Sequence, residues 1–76
     1  MMHRQAVLAL MTTARDQACL HRELLTLAEL ERSYDLEAAL DTIEHRLIAG
    51  RGSEAVLEKG RELARALLAL VEQRAA

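Results

Sequence analysis

Few residues of this chain have the type and spacing that chemistry at a site requires. Asp41 and His45 are four residues apart, so on a helix they share a face and could begin a metal site. Glu37 and Glu44 lie nearby. A carboxylate and an imidazole at this spacing usually form a solvated contact along the helix, and a cation at position 45 also suits the last turn before Gly50. We therefore predict no metal site here.

Two further groups are candidates for chemistry. The amine, the backbone nitrogens and the imidazole of Met1–His3 can make the square-planar set that Cu(II) or Ni(II) prefers, but any chain with histidine third has it. Cys19 and His21 point to nearly opposite sides of a helix, so they cannot share an ion. Because Cys19 lies between Ala18 and Leu20, we expect a buried or half-buried thiol rather than a nucleophile.

Paired carboxylates also occur, as Glu37 with Asp41 and Glu58 with Glu62. Acid–base catalysis would need a cleft that desolvates one partner of such a pair, and a helical hairpin of this size offers none. The sequence therefore favours a non-enzymatic protein with no catalytic residue and no cofactor.

The elements that must position these side chains are helices. Of the 76 residues, 51% are apolar, but Tyr34 is the only aromatic one, so the core must be built from Leu and Ala. A domain this small buries only roughly 60% of its unfolded surface and usually needs a metal, disulfides or a partner. One cysteine excludes an intramolecular disulfide, which leaves packing against another chain.

The charges argue against several kinds of partner. Twelve acidic residues stand against nine Arg and one Lys, well mixed along the chain, for a net charge of −2. Such a balance has no electrostatic footprint for nucleic acid, and no aromatic platform is present for base stacking. The apolar run 6–11 is too short for a signal peptide, and no segment has the length that spans a bilayer. We expect a cytoplasmic protein without nucleic-acid or membrane partners.

Residues 1–49 contain neither Gly nor Pro, and their apolar residues recur at helical spacing. A soft boundary is expected at Thr12–Thr13, where Asp16 follows Thr13 as in a capping box.

A firmer boundary comes from register. Leu20, Leu24 and Leu27 form one apolar seam, whereas the seam that begins at Leu36 lies on another face. We therefore predict a turn at 31–35, capped by Ser33 or Asp35. This gives helix one at about 3–31 and helix two at about 35–49, with a single continuous helix as the alternative.

The clearest boundary between two helices is the turn at 50–53. Gly50 follows the second apolar seam and is predicted to adopt the left-handed conformation just past a helix end. Gly52 lies in the same turn, and Ser53 is predicted to be the N-cap of helix three, at about 54–74, with Glu54 in its first turn. So short a connection makes helices two and three antiparallel neighbours.

Helix three carries two adjacent apolar stripes, which together are wider than one partner helix needs. Gly60 interrupts one stripe and marks either a close approach by another backbone or a tolerated surface glycine. The surplus apolar surface predicts binding to a partner through the residues Leu36, Leu40, Ile43, Leu47, Val56, Leu57, Leu63, Leu67, Leu68, Leu70 and Val71. The competing interpretation is that helix one simply covers these faces and closes a three-helix bundle.

These patterns predict an all-α fold, an antiparallel helical hairpin extended to a small three-helix bundle in one domain. Two functions remain open. One is an interaction module that buries an apolar helical face, in the manner of a coiled coil, against a different protein. The other is a homo-oligomer with a structural or regulatory role, such as a four-helix bundle from two hairpins.

Two family resemblances add expectations. The run 39–50, with 53–58 and 63–71, resembles the YscE-like co-chaperones of type III secretion needle subunits in its hydrophobic pattern and glycine turn. That resemblance implies a cytoplasmic heterodimer with a helical-repeat chaperone, which together keep a needle subunit monomeric. The run Leu40–Ile48 also resembles the first helix of the small all-helical chorismate mutases, which implies an enzyme as a remote alternative. A basic residue precedes this run in that family, where this chain has Glu37.

Overall fold

The computed structural model describes residues 3–75, with side chains for residues 3–73. It contains three α-helices, α1 (Arg4–Leu20), α2 (Leu27–Ile48) and α3 (Glu54–Ala75), and a short 3-10 turn at Arg22–Leu24. The helices run up, down and up, and α3 packs extensively against both α1 and α2, which contact each other less. The predicted all-α fold, a hairpin extended to a three-helix bundle, is confirmed.

The break between the first two helices lies at residues 21–26, so the predicted turn at 31–35 is wrong. A complete capping box begins α2: the Thr26 hydroxyl accepts from the Glu29 N–H at 3.2 Å, and the Glu29 carboxylate accepts from the Thr26 N–H at 2.8 Å. This reciprocal pair satisfies two backbone donors that a helix start otherwise leaves unpaired. Helix one therefore ends at Leu20 rather than near residue 31.

The chain stays helical at the two places where a weakness was expected. Ser33 is fully buried within α2, and its hydroxyl donates to the Leu30 carbonyl at 3.0 Å, so it satisfies its own polar group without ending the helix. The core stripe of α2 runs back from Leu36 through Ser33. Similarly, α1 continues through Thr12–Thr13, where the soft boundary was predicted.

The glycine turn is as predicted. Gly50 has a φ of +76°, its N–H donates to the Leu47 carbonyl at 3.2 Å, and the Arg51 N–H donates to the Arg46 carbonyl at 2.9 Å. These two bonds are those of a Schellman motif, which satisfies the last carbonyls of a helix. Ser53 then caps α3 through a bond that its hydroxyl accepts from the Val56 N–H at 3.3 Å.

Gly60 lies on α3 at a point where side chains of both other helices approach its backbone. It is buried, and a Cβ built there would lie 3.0 Å from Ile43 Cγ2, 3.2 Å from Met11 Sδ and 3.3 Å from Val7 Cγ1. Gly60 is therefore not a surface glycine, and the predicted approach of another backbone is also wrong, because side chains of α1 and α2 fill the space.

Substituting Gly60→Val should destabilise the bundle, because the added side chain must displace side chains of both neighbouring helices. Overpacking of this kind costs about 1–3 kcal/mol. Urea unfolding followed by circular dichroism measures the change. The control Ala55→Val, at an exposed position of the same helix, should cost no more than about 0.7 kcal/mol, the span of ordinary helix propensities. Wild-type stability for Gly60→Val would contradict the packing described.

Substituting Gly50→Ala tests the turn separately from packing. No atom lies within 4 Å of a Cβ at this position, so the cost is purely that of placing an L-residue in the left-handed region, about 1–2 kcal/mol. Gly50→Asn should lose less, since asparagine tolerates this conformation. Equal losses for the two variants in urea unfolding would argue against a conformational cause.

Candidate functional site

The residues predicted to contact a partner are mostly used by the protein's own core. Seven are buried, namely Leu36, Leu40, Ile43, Leu47, Leu57, Leu67 and Val71. The other four, Val56, Leu63, Leu68 and Leu70, are half-buried and pack against that core. The structure brings these eleven residues together because α1 covers them with Val7, Met11, Ala14 and Ala18. Of the two interpretations of these apolar faces, the arrangement is the one in which helix one covers them and closes the bundle.

Large apolar side chains remain exposed at a different place. Leu20, Leu24 and Leu27 are 71%, 52% and 74% exposed, and all three lie within eight residues of chain around the connection between α1 and α2. We call these three residues the leucine end. Tyr34, which is 49% exposed, lies seven residues after Leu27 and so shares its face of α2. Single exposed leucines are ordinary on proteins, whereas contiguous apolar patches of several hundred Å² are typical of interaction surfaces.

The leucine end is held in place by Arg22. Its Nη2 donates to both carboxylate oxygens of Glu37 on α2, each at 3.0 Å. The same guanidinium lies 5.0 Å from the centroid of the Tyr34 ring, within the range of a cation–π interaction. These contacts tie the connection to α2, so a partner would meet an ordered surface and less conformational entropy would be lost on binding.

A second ion pair fixes α1 against α2 further along the bundle. Arg15 Nη1 lies 2.8 Å from Glu44 Oε2, with both side chains about one quarter exposed, at 25% and 28%. Partly exposed pairs contribute little stability, typically 0–1 kcal/mol, so their main effect is to fix how the two helices are aligned. Glu37 and Glu44, considered above as neighbours of a metal site, are therefore engaged by arginines.

A shallow groove runs between α1 and α3 on another side of the bundle. One part is lined by His3, Ala6, Val7 and Leu10 of α1 with Arg61 and Arg65 of α3. The next part shares Leu10 and Arg65 and adds Leu68, Ala69 and Glu72. The groove thus has an apolar middle and charged side chains on its α3 edge.

The residues singled out for possible chemistry do not assemble. His45 Nδ1 lies 3.6 Å from Asp41 Oδ2, and the two side chains are 75% and 62% exposed, which confirms a solvated contact along the helix. Cys19 is exposed, so the predicted burial is wrong: the core stripe of α1 passes through Ala18, and Cys19 lies one residue further round. Met1 and Met2 of the amino-terminal nitrogen set lie outside the described residues.

Over the described residues, no group of three or more His, Cys, Asp and Glu side chains is placed to hold a metal ion. In the same part of the chain, no helix is both long enough and apolar enough to cross a membrane. No protein-family profile, no curated protein and no solved structure matches this chain. The exposed surface is therefore the basis on which a function can be inferred.

A signal for the leucine end was present in the sequence. Leu20, Leu24 and Leu27 form a seam distinct from that of helix two, and their spacing predicts a helix that continues to residue 31. The Thr26-x-x-Glu29 pattern of a capping box places the break between Leu24 and Leu27, which leaves these leucines around a connection rather than along a core face.

Replacing the leucine end should leave the fold intact. The triple variant Leu20→Gln, Leu24→Gln, Leu27→Gln should keep its free energy of unfolding within about 1 kcal/mol of wild type, because exposed substitutions are usually small in effect. Leu40→Ala, at a fully buried position, should lose about 2–5 kcal/mol. Urea unfolding compares them. A triple variant as unstable as Leu40→Ala would show that these leucines belong to the core.

Proposed function

We propose that this chain is a non-enzymatic protein-interaction module that binds another protein through the leucine end. The observation that carries the proposal is the exposure of Leu20, Leu24 and Leu27 by more than half around one connection that Arg22 holds in place. A small domain gains nothing for its own stability from leucines in water, whereas a partner that covers them removes apolar area at roughly 25 cal/mol per Å².

The energetics suit a partner that binds reversibly. Fully burying one leucine side chain contributes about 1.5–3 kcal/mol, so three partly exposed leucines supply several kcal/mol in total. Lost translational freedom and ordering of side chains oppose this gain. A micromolar complex, near −8 kcal/mol, therefore needs the neighbouring contacts of Tyr34 as well as the leucines. The partner that fits is one with an apolar groove or helix face.

The resemblance to the YscE-like co-chaperones would make that partner a helical-repeat chaperone in the cytoplasm. The segments that carry the resemblance form the later part of α2, the glycine turn and α3, which together are an antiparallel hairpin. Their apolar residues pack on one another and on α1, so a chaperone would meet the leucine end first. The run that resembles the chorismate mutases supplies the core residues Leu40, Ile43 and Leu47, which favours a packing role for that pattern.

The test compares the wild-type protein, the triple glutamine variant of the leucine end, and Ile48→Gln. Ile48 is a matched control: it is 71% exposed, like Leu20, but lies 21 residues after Leu27 along α2, about 31 Å away. Proteins captured from the source organism and identified by mass spectrometry give the candidate partner. Titration calorimetry with that purified partner then measures binding directly.

The triple variant should weaken binding by at least about tenfold, which corresponds to 1.4 kcal/mol. Ile48→Gln should bind like wild type. A partner that binds the triple variant as tightly as the wild-type protein would remove the leucine end from the interaction. A substitution within the predicted partner-binding residues, such as Leu67→Asp, would not test the leucine end, because Leu67 is fully buried and a carboxylate there would unfold the bundle.

A further inference from the structure

The groove between α1 and α3 has opposite charges at its two ends. On α3 the residues Arg61, Arg65, Leu68 and Glu72 follow one another at spacings of four, three and four, so they form one stripe along the helix. Arg65 and Glu72 are seven residues apart, about 10.5 Å along the axis. Among the side chains that the structure describes, neither forms an ion pair within the chain.

This order of charges is complementary to itself under a two-fold rotation. If two copies of α3 cross antiparallel with the axis beside Leu68 and Ala69, Arg65 of each copy lies opposite Glu72 of the other. A two-fold interface contains every contact twice, so the Arg65–Glu72 ion pair would form at two places. Ala69 is exposed and small, which allows the two helices to approach closely at the axis, while Leu68 and Leu10 supply apolar contact there.

We propose that the groove between α1 and α3 binds a second copy of this chain, through an antiparallel α3–α3 contact centred on Leu68 and Ala69. Charge decides the occupant. A uniformly acidic helix would be repelled at Glu72, and a uniformly basic helix would be repelled at Arg65, whereas a second copy satisfies both. The proposal does not depend on the leucine end, whose three residues do not line the groove.

Charge reversal tests this geometry by sedimentation equilibrium of the purified chain. Arg65→Glu places two glutamates opposite each other at both ends of the interface, and Glu72→Arg places two arginines there. Each variant should raise the dimer dissociation constant at least about tenfold. The double variant Arg65→Glu, Glu72→Arg restores opposite charges and should dimerise like wild type.

An equimolar mixture of the two single variants should form a heterodimer, since the acidic groove of one then faces the basic groove of the other. Lys59→Glu and Glu31→Arg, which make the same charge changes at exposed positions away from the groove, should leave dimerisation unchanged. Circular dichroism checks that every variant remains helical.

Several results would overturn the proposal. The first is a wild-type chain that stays monomeric at a concentration of about 100 μM. The second is a single charge reversal that leaves the dimer dissociation constant unchanged. The third is a mixture of the two single variants that stays monomeric. The triple glutamine variant of the leucine end should dimerise normally. If the triple variant is monomeric instead, the leucine end rather than the groove joins the two copies. If the triple variant still dimerises but no longer binds the partner, the two surfaces act separately, as the two proposals require.

Discussion

The bundle depends on the close approach of three helices at Gly60. Because no side chain lies at this position, Val7 and Met11 of α1 and Ile43 of α2 reach the surface of α3 from two sides. Small residues continue this packing along the bundle, with Ala14 on α1 fully buried. Interiors of proteins are close-packed, so a core with no buried aromatic ring must bring its helices nearer together instead of filling a wider space.

That packing decides where apolar surface is left over. Since α1 approaches α3 closely, it covers the faces of α2 and α3 that a two-helix hairpin would leave open to a partner. The chain from Leu20 to Leu27 cannot follow the same face, because the helix breaks at residues 21–26 and α2 restarts on its own register. The leucines around the break are therefore exposed. The apolar surface that stays open to a partner lies at one end of the bundle and not along the sides of the helices.

What the sequence predicted well is what depends on local chemistry. The conformation of Gly50 and the cap at Ser53 follow from which residues can adopt a positive φ or accept a backbone hydrogen bond, and both were foreseen. The sequence does not predict which residues of α1 enter the core, because its core stripe contains Ala14 and Ala18, which do not stand out as anchors in the way leucines do. Burial of an alanine depends on how near the neighbouring helix lies, and that distance is a tertiary property.

The bundle is longer than it is wide, with extents of 35 × 20 × 16 Å. The leucine end and the α1–α3 groove have no residue in common. The α1–α3 groove is lined by side chains of two helices that run alongside each other, whereas the leucine end surrounds the connection that follows α1. An antiparallel dimer through the groove would therefore direct its two leucine ends in opposite directions.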